Sequence, residues 1–183
     1  MSVYTRAGDT GKTYLIGNTR HSKDSSIFEV LGTMDEFNVS LGLMLSDISF
    51  SKDASDFLVT VQGDLFKLGS LIANDKSKDE DFKWLAPRVG LVEDYIDELE
   101  KDLPKLENFI LPGGTPAAAR VHMARTVCRR CERALVGHFE KNDEGKKCTL
   151  MYINRLSDLL FVLARFLNFN ENVEDIIWID SDE

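Results

Sequence analysis

The chain has 183 residues, of which 43% are hydrophobic, so it can bury one substantial core and is expected to form a single domain. Its 22 Lys and Arg against 31 Asp and Glu give a formal net charge of -9. This charge repels nucleic acid and anionic membrane surfaces, and no apolar run is long enough to span a membrane. We therefore expect neither partner. We expect a cytoplasmic protein, and the sequence is also compatible with the mature form of a mitochondrial one.

The first 25 residues are rich in Gly, Thr, Asp and Ser and lack periodicity, which predicts an ordered or ligand-ordered loop. Residues 8–13, GDTGKT, resemble the end of a P-loop. Arg6 stands where that motif needs its first Gly, and no buried strand precedes it, so we reject a P-loop. Backbone N–H groups together with Lys12 and Lys23 can still bind phosphate. A flexible arm without a ligand is the alternative.

Apolar residues recur at three- and four-residue spacing in most of the remaining chain. A polar linker is expected at 75–83. Residues 109–116, FILPGGTP, predict a turn, with Thr115 and Pro116 as N-cap and first residue of the next helix. The apolar run 176–179 is interpreted as a short extended or docking segment. Together these patterns predict an all-α bundle. Its five helices are expected at residues 26–47, 55–74, 87–103, 116–139 and 149–168.

The fourth predicted helix concentrates positive charge in a protein that is acidic overall. Arg125, Arg129 and Glu132 lie near one face, accompanied by Arg130 and Arg133. Guanidinium groups suit phosphate because they present paired planar donors, and a nearby carboxylate can hold a metal ion or orient an Arg. A solvated, salt-bridged helix face is the alternative.

Apolar neighbours show that part of this helix is buried, so at least one Arg needs a carboxylate partner. Asp35 and Glu36 in the first helix are candidates, and Asn154 and Asp158 place polar groups in the fifth. These groups can serve either structure or catalysis.

Cys128 and Cys131 form a CxxC spacing within the fourth helix, and the chain has three cysteines in all. An odd number argues against a disulfide framework and suits a reducing compartment. A zinc site would need two more ligands nearby, so core packing is the favoured interpretation of this pair.

Four strings resemble, in order and spacing, the corrinoid adenosyltransferases of the propanediol-utilisation and human mitochondrial type. They are YTRAGDTGKTYL, SKDSSIFEVLGTMDEFNVSLG, FILPGGTPAAARVHMARTVCRRCERALV and YINRLSDLLFVLAR. The resemblance implies a five-helix bundle with ferritin-like up-down packing, divided into an ATP-wrapping segment (1–25), the bundle (26–168) and a tail (169–183). It also implies a homotrimer whose sites lie between subunits.

The activity implied is transfer of the 5′-deoxyadenosyl group of ATP to cob(I)alamin, giving adenosylcobalamin and triphosphate. Magnesium is the implied metal, with Glu132 as its candidate ligand. A cob(II)alamin reductase and an adenosylcobalamin-dependent enzyme are the implied further partners. Two alternatives remain, an ATP-binding regulatory bundle without transferase activity and a nucleotide-dependent kinase. Neither would depend on corrinoid.

The resemblance also assigns roles to residues. Catalytic roles fall to Arg129, Arg125, Asp35 and Phe109, with Asp35 and Arg125 as an intersubunit ion pair. Phe109, Phe161, Asp35 and Arg125 are the corrinoid-binding set. The family commonly has Lys-Thr where this chain has Arg6-Ala7, which predicts altered nucleotide affinity. The ATP-binding set is Thr5, Arg6, Ala7, Gly8, Thr13, Tyr14, Lys23, Arg129, Arg130, Glu132, Arg133 and Asn154.

Overall fold

The computed structural model describes residues 4, 6–17, 19–74, 76–139 and 144–180. Within these ranges five α-helices dominate, which confirms the predicted all-α bundle. They are α1 (Ser26–Asp47), α2 (Lys52–Ile72), α3 (Leu85–Glu100), α4 (Pro116–His138) and α5 (Glu144–Asn170).

Helix α4 lies at the centre of the bundle, between α1 and α5, while α2 packs on α1 and α3 packs on α5. The apolar stripes of all five helices meet in one core, whose burial is the main stabilising contribution to the fold. Cys128 and Cys131 belong to this core and are completely buried, as packing predicts. Burial raises the pKa of the Cys131 thiol to about 12 and that of Cys128 well above its usual value.

Three helices differ from prediction at their ends. Helix α2 begins earlier because the Ser51 hydroxyl accepts a hydrogen bond from the Ala54 N–H at 3.2 Å. Helix α3 begins two residues before Pro87 and ends at Glu100, before the predicted position 103. Helix α5 begins at Glu144 rather than at the predicted residue 149. The sequence did not indicate this earlier start, because the first turn is polar and has no apolar periodicity.

The N-terminal segment is a small hairpin rather than a loop. Strands β1 (Lys12–Tyr14) and β2 (Arg20–Ser22) pair antiparallel, with Thr13 opposite His21. Ile16 then forms a parallel bridge with Asn74, just beyond the end of α2. The predicted linker also contains structure, a 3₁₀ helix at Asp79–Phe82.

The tail beyond α5 is extended and docks on the α3–α4 connection, as its apolar run suggests. Ile177 forms an antiparallel bridge with Ile110, which precedes α4. In the described part of the chain, no helix combines the length and apolar character needed to cross a membrane.

Candidate functional site

The arginines of α4 fall into two groups that face different neighbours. Arg130 forms an ion pair with Glu36 of α1, so one of the two predicted acidic partners is confirmed. Arg129 and Arg133 are exposed, and neither has an acidic partner among the described residues. Two guanidinium groups one helical turn apart are therefore available for an anion.

A polar chain crosses the bundle beside these arginines. Glu132 is half-buried and accepts a hydrogen bond from the Asn154 amide of α5 at 3.1 Å. The Asn154 carbonyl in turn accepts from Arg155 at 3.0 Å, and Arg155 Nε donates to Glu93 of α3 at 2.7 Å. These hydrogen bonds fix the orientation of the Glu132 carboxylate, which lies one turn from Arg129 on α4. Arg155 and Glu93 were missed in the sequence, although Arg155 adjoins Asn154 in the quoted motif.

Arg125 lies two helical turns before Glu132 on α4 and is half-buried. Its Nε is buried without a hydrogen-bond partner in the described structure. Burial, and then the nearby Arg129, lower the pKa of Arg125. The guanidinium lies 6.0 Å from the centre of the Phe161 ring. Asp35 is exposed on α1, and among the described residues it forms no ion pair with Arg125.

Phe109 and Phe161 lie toward the start of α4. Phe161 is half-buried on α5, with its ring centre 6.1 Å from that of His122. Phe109 belongs to the α3–α4 connection, and its side chain is 81% exposed. Its carbonyl accepts a hydrogen bond from the Trp178 N–H of the tail at 2.8 Å. Trp178 lines the same cavity as Phe109, so this contiguous exposed apolar surface is a candidate ligand contact.

The hairpin adjoins the opposite end of α4. Ser26, the first residue of α1, lies 2.9 Å from His138 Nδ1 at the end of α4. The Gly11 N–H donates to the Gly8 carbonyl at 3.3 Å, which closes the loop of residues 8–11, and the Lys23 N–H donates to the Gly11 carbonyl at 2.9 Å, which ties Lys23 to this loop. Gly11 has a φ of +74°, a conformation that favours glycine.

The predicted nucleotide-binding residues of the hairpin lie around this closed loop. The Lys23 ammonium approaches Gly8 so closely that a Cβ there would lie 3.0 Å from Nζ. Arg6 adopts a φ of 59°, a conformation that costs a non-glycine residue free energy and is often found at binding sites. Ala7 and Tyr14 are exposed and Thr13 is half-buried. Thr5 lies outside the described residues.

The model of the cobalamin adenosyltransferase family matches residues 3–167 of this chain. The chain belongs to this family.

Relatives match the adenosyltransferase chain over nearly its full length. The Cupriavidus metallidurans protein named cobalamin adenosyltransferase is 41% identical, over 96% of this chain and 93% of its own. The corrinoid adenosyltransferase of Bacillus subtilis is 38% identical, over 96% of this chain and 91% of its own. A variant PduO-type ATP:corrinoid adenosyltransferase from Lactobacillus reuteri, solved with cobalamin and ATP, superposes with a TM-score of 0.85. It is 31% identical and the match covers 98% of this chain and 97% of that one.

The donor atoms of this adenosyltransferase chain suit a magnesium ion whose other ligands come from a bound polyphosphate and water. In the described part of the chain, no three His, Cys, Asp or Glu side chains cluster as a metal site. Glu132 does present a hard oxygen ligand beside Arg129 and Arg133. Magnesium is commonly held by one or two carboxylates together with substrate phosphates and water, so the residues fit this ion in the company of a polyphosphate.

Proposed function

We propose that this chain transfers the 5′-deoxyadenosyl group of ATP to cob(I)alamin, giving adenosylcobalamin and triphosphate. The full-length likeness to named adenosyltransferases carries the proposal, including a structure solved with cobalamin and ATP that covers 98% of this chain. Arg129 and Arg133, which have no acidic partner among the described residues, and the exposed Phe109 support it from the chain itself.

The reaction is a nucleophilic displacement in which the protein forms no covalent bond. Cobalt in the +1 state donates an electron pair to the 5′ carbon of ATP, and the cobalt–carbon bond forms as the carbon–oxygen bond to triphosphate breaks. The triphosphate leaves with the electron pair of the broken carbon–oxygen bond, and the cobalt, whose own pair now forms the cobalt–carbon bond, is formally oxidised to the +3 state. The protein therefore contributes by positioning the two substrates and stabilising the charge of the leaving group.

The nucleotide is assigned to the end of α4 that adjoins the hairpin. Arg129 and Arg133 would contact the triphosphate, and Lys23 would do so from its position beside the loop that Gly8 and Gly11 close. Arg130 must share its guanidinium with Glu36, so its part in phosphate binding is secondary. Asn154 acts through Glu132, which it orients.

Magnesium, when bound, would supply positive charge to the triphosphate, with Glu132 as the protein ligand. Because Asn154 holds one Glu132 oxygen, the second remains for the ion. A single protein ligand predicts that magnesium binds weakly without nucleotide.

The corrinoid is assigned to the start of α4, where Phe109 is exposed and Phe161 lines the bundle surface. Phe109 would pack against the lower face of the corrin and exclude water and the axial base from the cobalt. A four-coordinate cobalt(II) ion is easier to reduce, so this contact would help a reductase deliver the +1 state. The reductase and the enzyme that uses the product are the partners that this chemistry requires.

We place the active site between subunits of a homotrimer. Arg125 supports this assembly because its guanidinium is half-buried and lacks an acceptor among the described residues. A buried guanidinium without a partner is costly, and Asp35 of a neighbouring subunit would satisfy it. Exposed apolar side chains on α1 and α4 offer further area for contact. They are Val39, Leu43, Met123 and Val136.

The proposal is tested by mixing the purified protein with ATP, magnesium and chemically reduced cob(I)alamin under anaerobic conditions. Formation of the cobalt–carbon bond changes the corrinoid absorbance, and we expect this change only when protein and ATP are both present. Protein that is folded and binds ATP, yet forms no adenosylcobalamin, would contradict the proposal.

A further inference from the structure

The last turns of α5 carry a buried guanidinium that bonds both the α3–α4 connection and the tail. The side chain of Arg165 is only 5% exposed. Its Nη2 donates to the carbonyl of Pro104, at the start of the α3–α4 connection, at 2.8 Å. Its Nε donates to Asp175 of the tail at 2.7 Å. One planar group thereby fixes the connection and the tail relative to each other.

Asn168, one turn further along α5, holds the other end of the same connection. Its amide Nδ2 donates to the Gly113 carbonyl at 3.1 Å, and its Oδ1 accepts from the Thr115 N–H at 2.9 Å. Asn168 is also buried, so its bond to Thr115 is shielded from water and its bond to Gly113 is partly shielded. The connection is therefore anchored to α5 at both ends, and Phe109 lies between the two anchors.

Between the anchors, the connection depends on the tail for its position. The Leu111 N–H donates to the Ile176 carbonyl, and the Trp178 N–H donates to the Phe109 carbonyl, both at 2.8 Å. Ile110 and Ile177 line a cavity of about 530 Å³ instead of filling a packed core. Two strands paired so briefly are marginally stable alone, so this pairing requires another constraint on the tail.

The Val173 N–H donates to the Asn168 carbonyl at 2.9 Å, and Asp175 adds a side-chain anchor nearer to the paired residues, whereas the side chains of residues 171–174 are exposed. A buried guanidinium is costly unless it is paired, and loss of its carboxylate favours local opening of the structure around it. Opening would release the tail, and the backbone of Phe109 would lose its partner strand.

We propose that Arg165 and Asp175 are positioning residues that, through the tail, fix Phe109 for contact with the corrinoid. This inference rests on the proposed role of Phe109. It assigns a function to a charged pair that touches neither substrate.

The test compares Asp175→Asn, Arg165→Lys and Asp175→Glu with Phe109→Ala in the holoenzyme with ATP and cob(II)alamin. The four-coordinate cob(II)alamin fraction is read from its absorbance and electron paramagnetic resonance spectra. We expect Asp175→Asn and Arg165→Lys to lower this fraction about fivefold or more, as expected if the lost anchor shifts the equilibrium by one or two kcal/mol. Asp175→Glu keeps the negative charge, so its four-coordinate fraction should lie between those of Asp175→Asn and the wild type. The KM for ATP should stay unchanged.

A structural role alone would not produce the coupling that we expect. Adding Asp175→Asn to Phe109→Ala should lower the four-coordinate fraction no further, because both changes remove the same contact. Hydrogen exchange of the Leu111 and Trp178 amides should become faster in Asp175→Asn. The matched control is Asp47→Asn, which breaks an exposed pair with Arg120 at 3.0 Å and should leave both measurements unchanged.

Two results separate this inference from the proposed function. A folded Asp175→Asn protein with the normal four-coordinate fraction, or an effect that adds to that of Phe109→Ala, overturns the positioning role alone. If Asp175→Asn does not fold, Arg165→Lys decides by the same criteria. Wild-type protein that forms no adenosylcobalamin would contradict the proposed function and this inference together, whereas Phe109→Ala without any effect would contradict the assigned role of Phe109 and, with it, this inference.

Discussion

Arg129 and Arg130 are neighbours in the chain, yet their surroundings differ. Arg130 is held by Glu36, whereas Arg129 is exposed without an acidic partner among the described residues. A cation that no carboxylate neutralises can place its full charge on a leaving triphosphate. At the scale of the residue, Arg129 is therefore the side chain on which the proposed chemistry depends most.

We predict that Arg129→Ala lowers kcat by about 10²- to 10³-fold, the usual effect of removing one such donor. The melting temperature should hardly change, because the side chain is exposed and unpaired in the described structure. Steady-state kinetics with saturating cob(I)alamin measure the effect. Arg120→Ala, another exposed Arg on α4, is the control and should keep its activity. Equal losses in both variants would show that overall charge, rather than Arg129, matters.

Phe109→Ala should spare turnover of preformed cob(I)alamin and reduce turnover that starts from cob(II)alamin. The reason is that Phe109 acts on the coordination of the cobalt before reduction and contributes little to the displacement itself. Two parallel assays of one preparation, with and without chemical prereduction, measure the difference. Equal losses in the two assays would exclude this role.

The connection between α3 and α4 contains two adjacent glycines whose surroundings differ. Gly114 has a φ of +98°, and a Cβ there would lie 2.2 Å from the Asn168 Oδ1 atom. The adjacent Gly113 has no atom within 4 Å of the corresponding position. The Pro-Gly-Gly turn was predicted from the sequence, but only the structure distinguishes its two glycines.

Gly114→Ala should therefore lower the free energy of unfolding by about 1–3 kcal/mol, through backbone strain and displacement of Asn168. Gly113→Ala is the matched control and should be nearly neutral. Urea denaturation of both variants gives the comparison. A stability loss of the same size in Gly113→Ala would contradict the explanation.

Local patterns predicted the helices well because each stripe of apolar residues reports on one element. The buried faces of α1 and α4 follow directly from spacing. The hairpin was not predicted, and the docking tail was predicted without its partner, because pairing such as that of Ile110 with Ile177 joins residues distant in the chain. Arg165 did carry a signal, a charge within the apolar run 159–167, but its partner Asp175 could not be identified from spacing.

In the whole molecule, we propose that a neighbouring subunit completes the surface on which the site residues lie. The motifs predicted Arg129, Glu132 and Asn154 as neighbours, and the last two do form a hydrogen bond. The assigned roles of these residues stay predictions. Asp35 and Arg125 form no ion pair within the described chain, so the proposed pairing is one between two subunits.

Reversing one charge, in Asp35→Arg or in Arg125→Asp, should weaken the trimer or its corrinoid binding, because a partly buried charge loses its partner. The double variant restores opposite charges and should recover part of both properties. Sedimentation velocity and corrinoid titration measure the two effects. A double variant no better than either single one would disprove the pairing.

The proposed reaction is a single displacement at the 5′ carbon of ATP by cobalt. Its most direct test is the stoichiometry of the products, with triphosphate followed by phosphorus nuclear magnetic resonance and adenosylcobalamin followed by absorbance in one anaerobic reaction. We predict one intact triphosphate for each cobalt–carbon bond, and no nucleotide turnover without corrinoid. Release of ADP, or loss of ATP that does not depend on cob(I)alamin, would contradict the account.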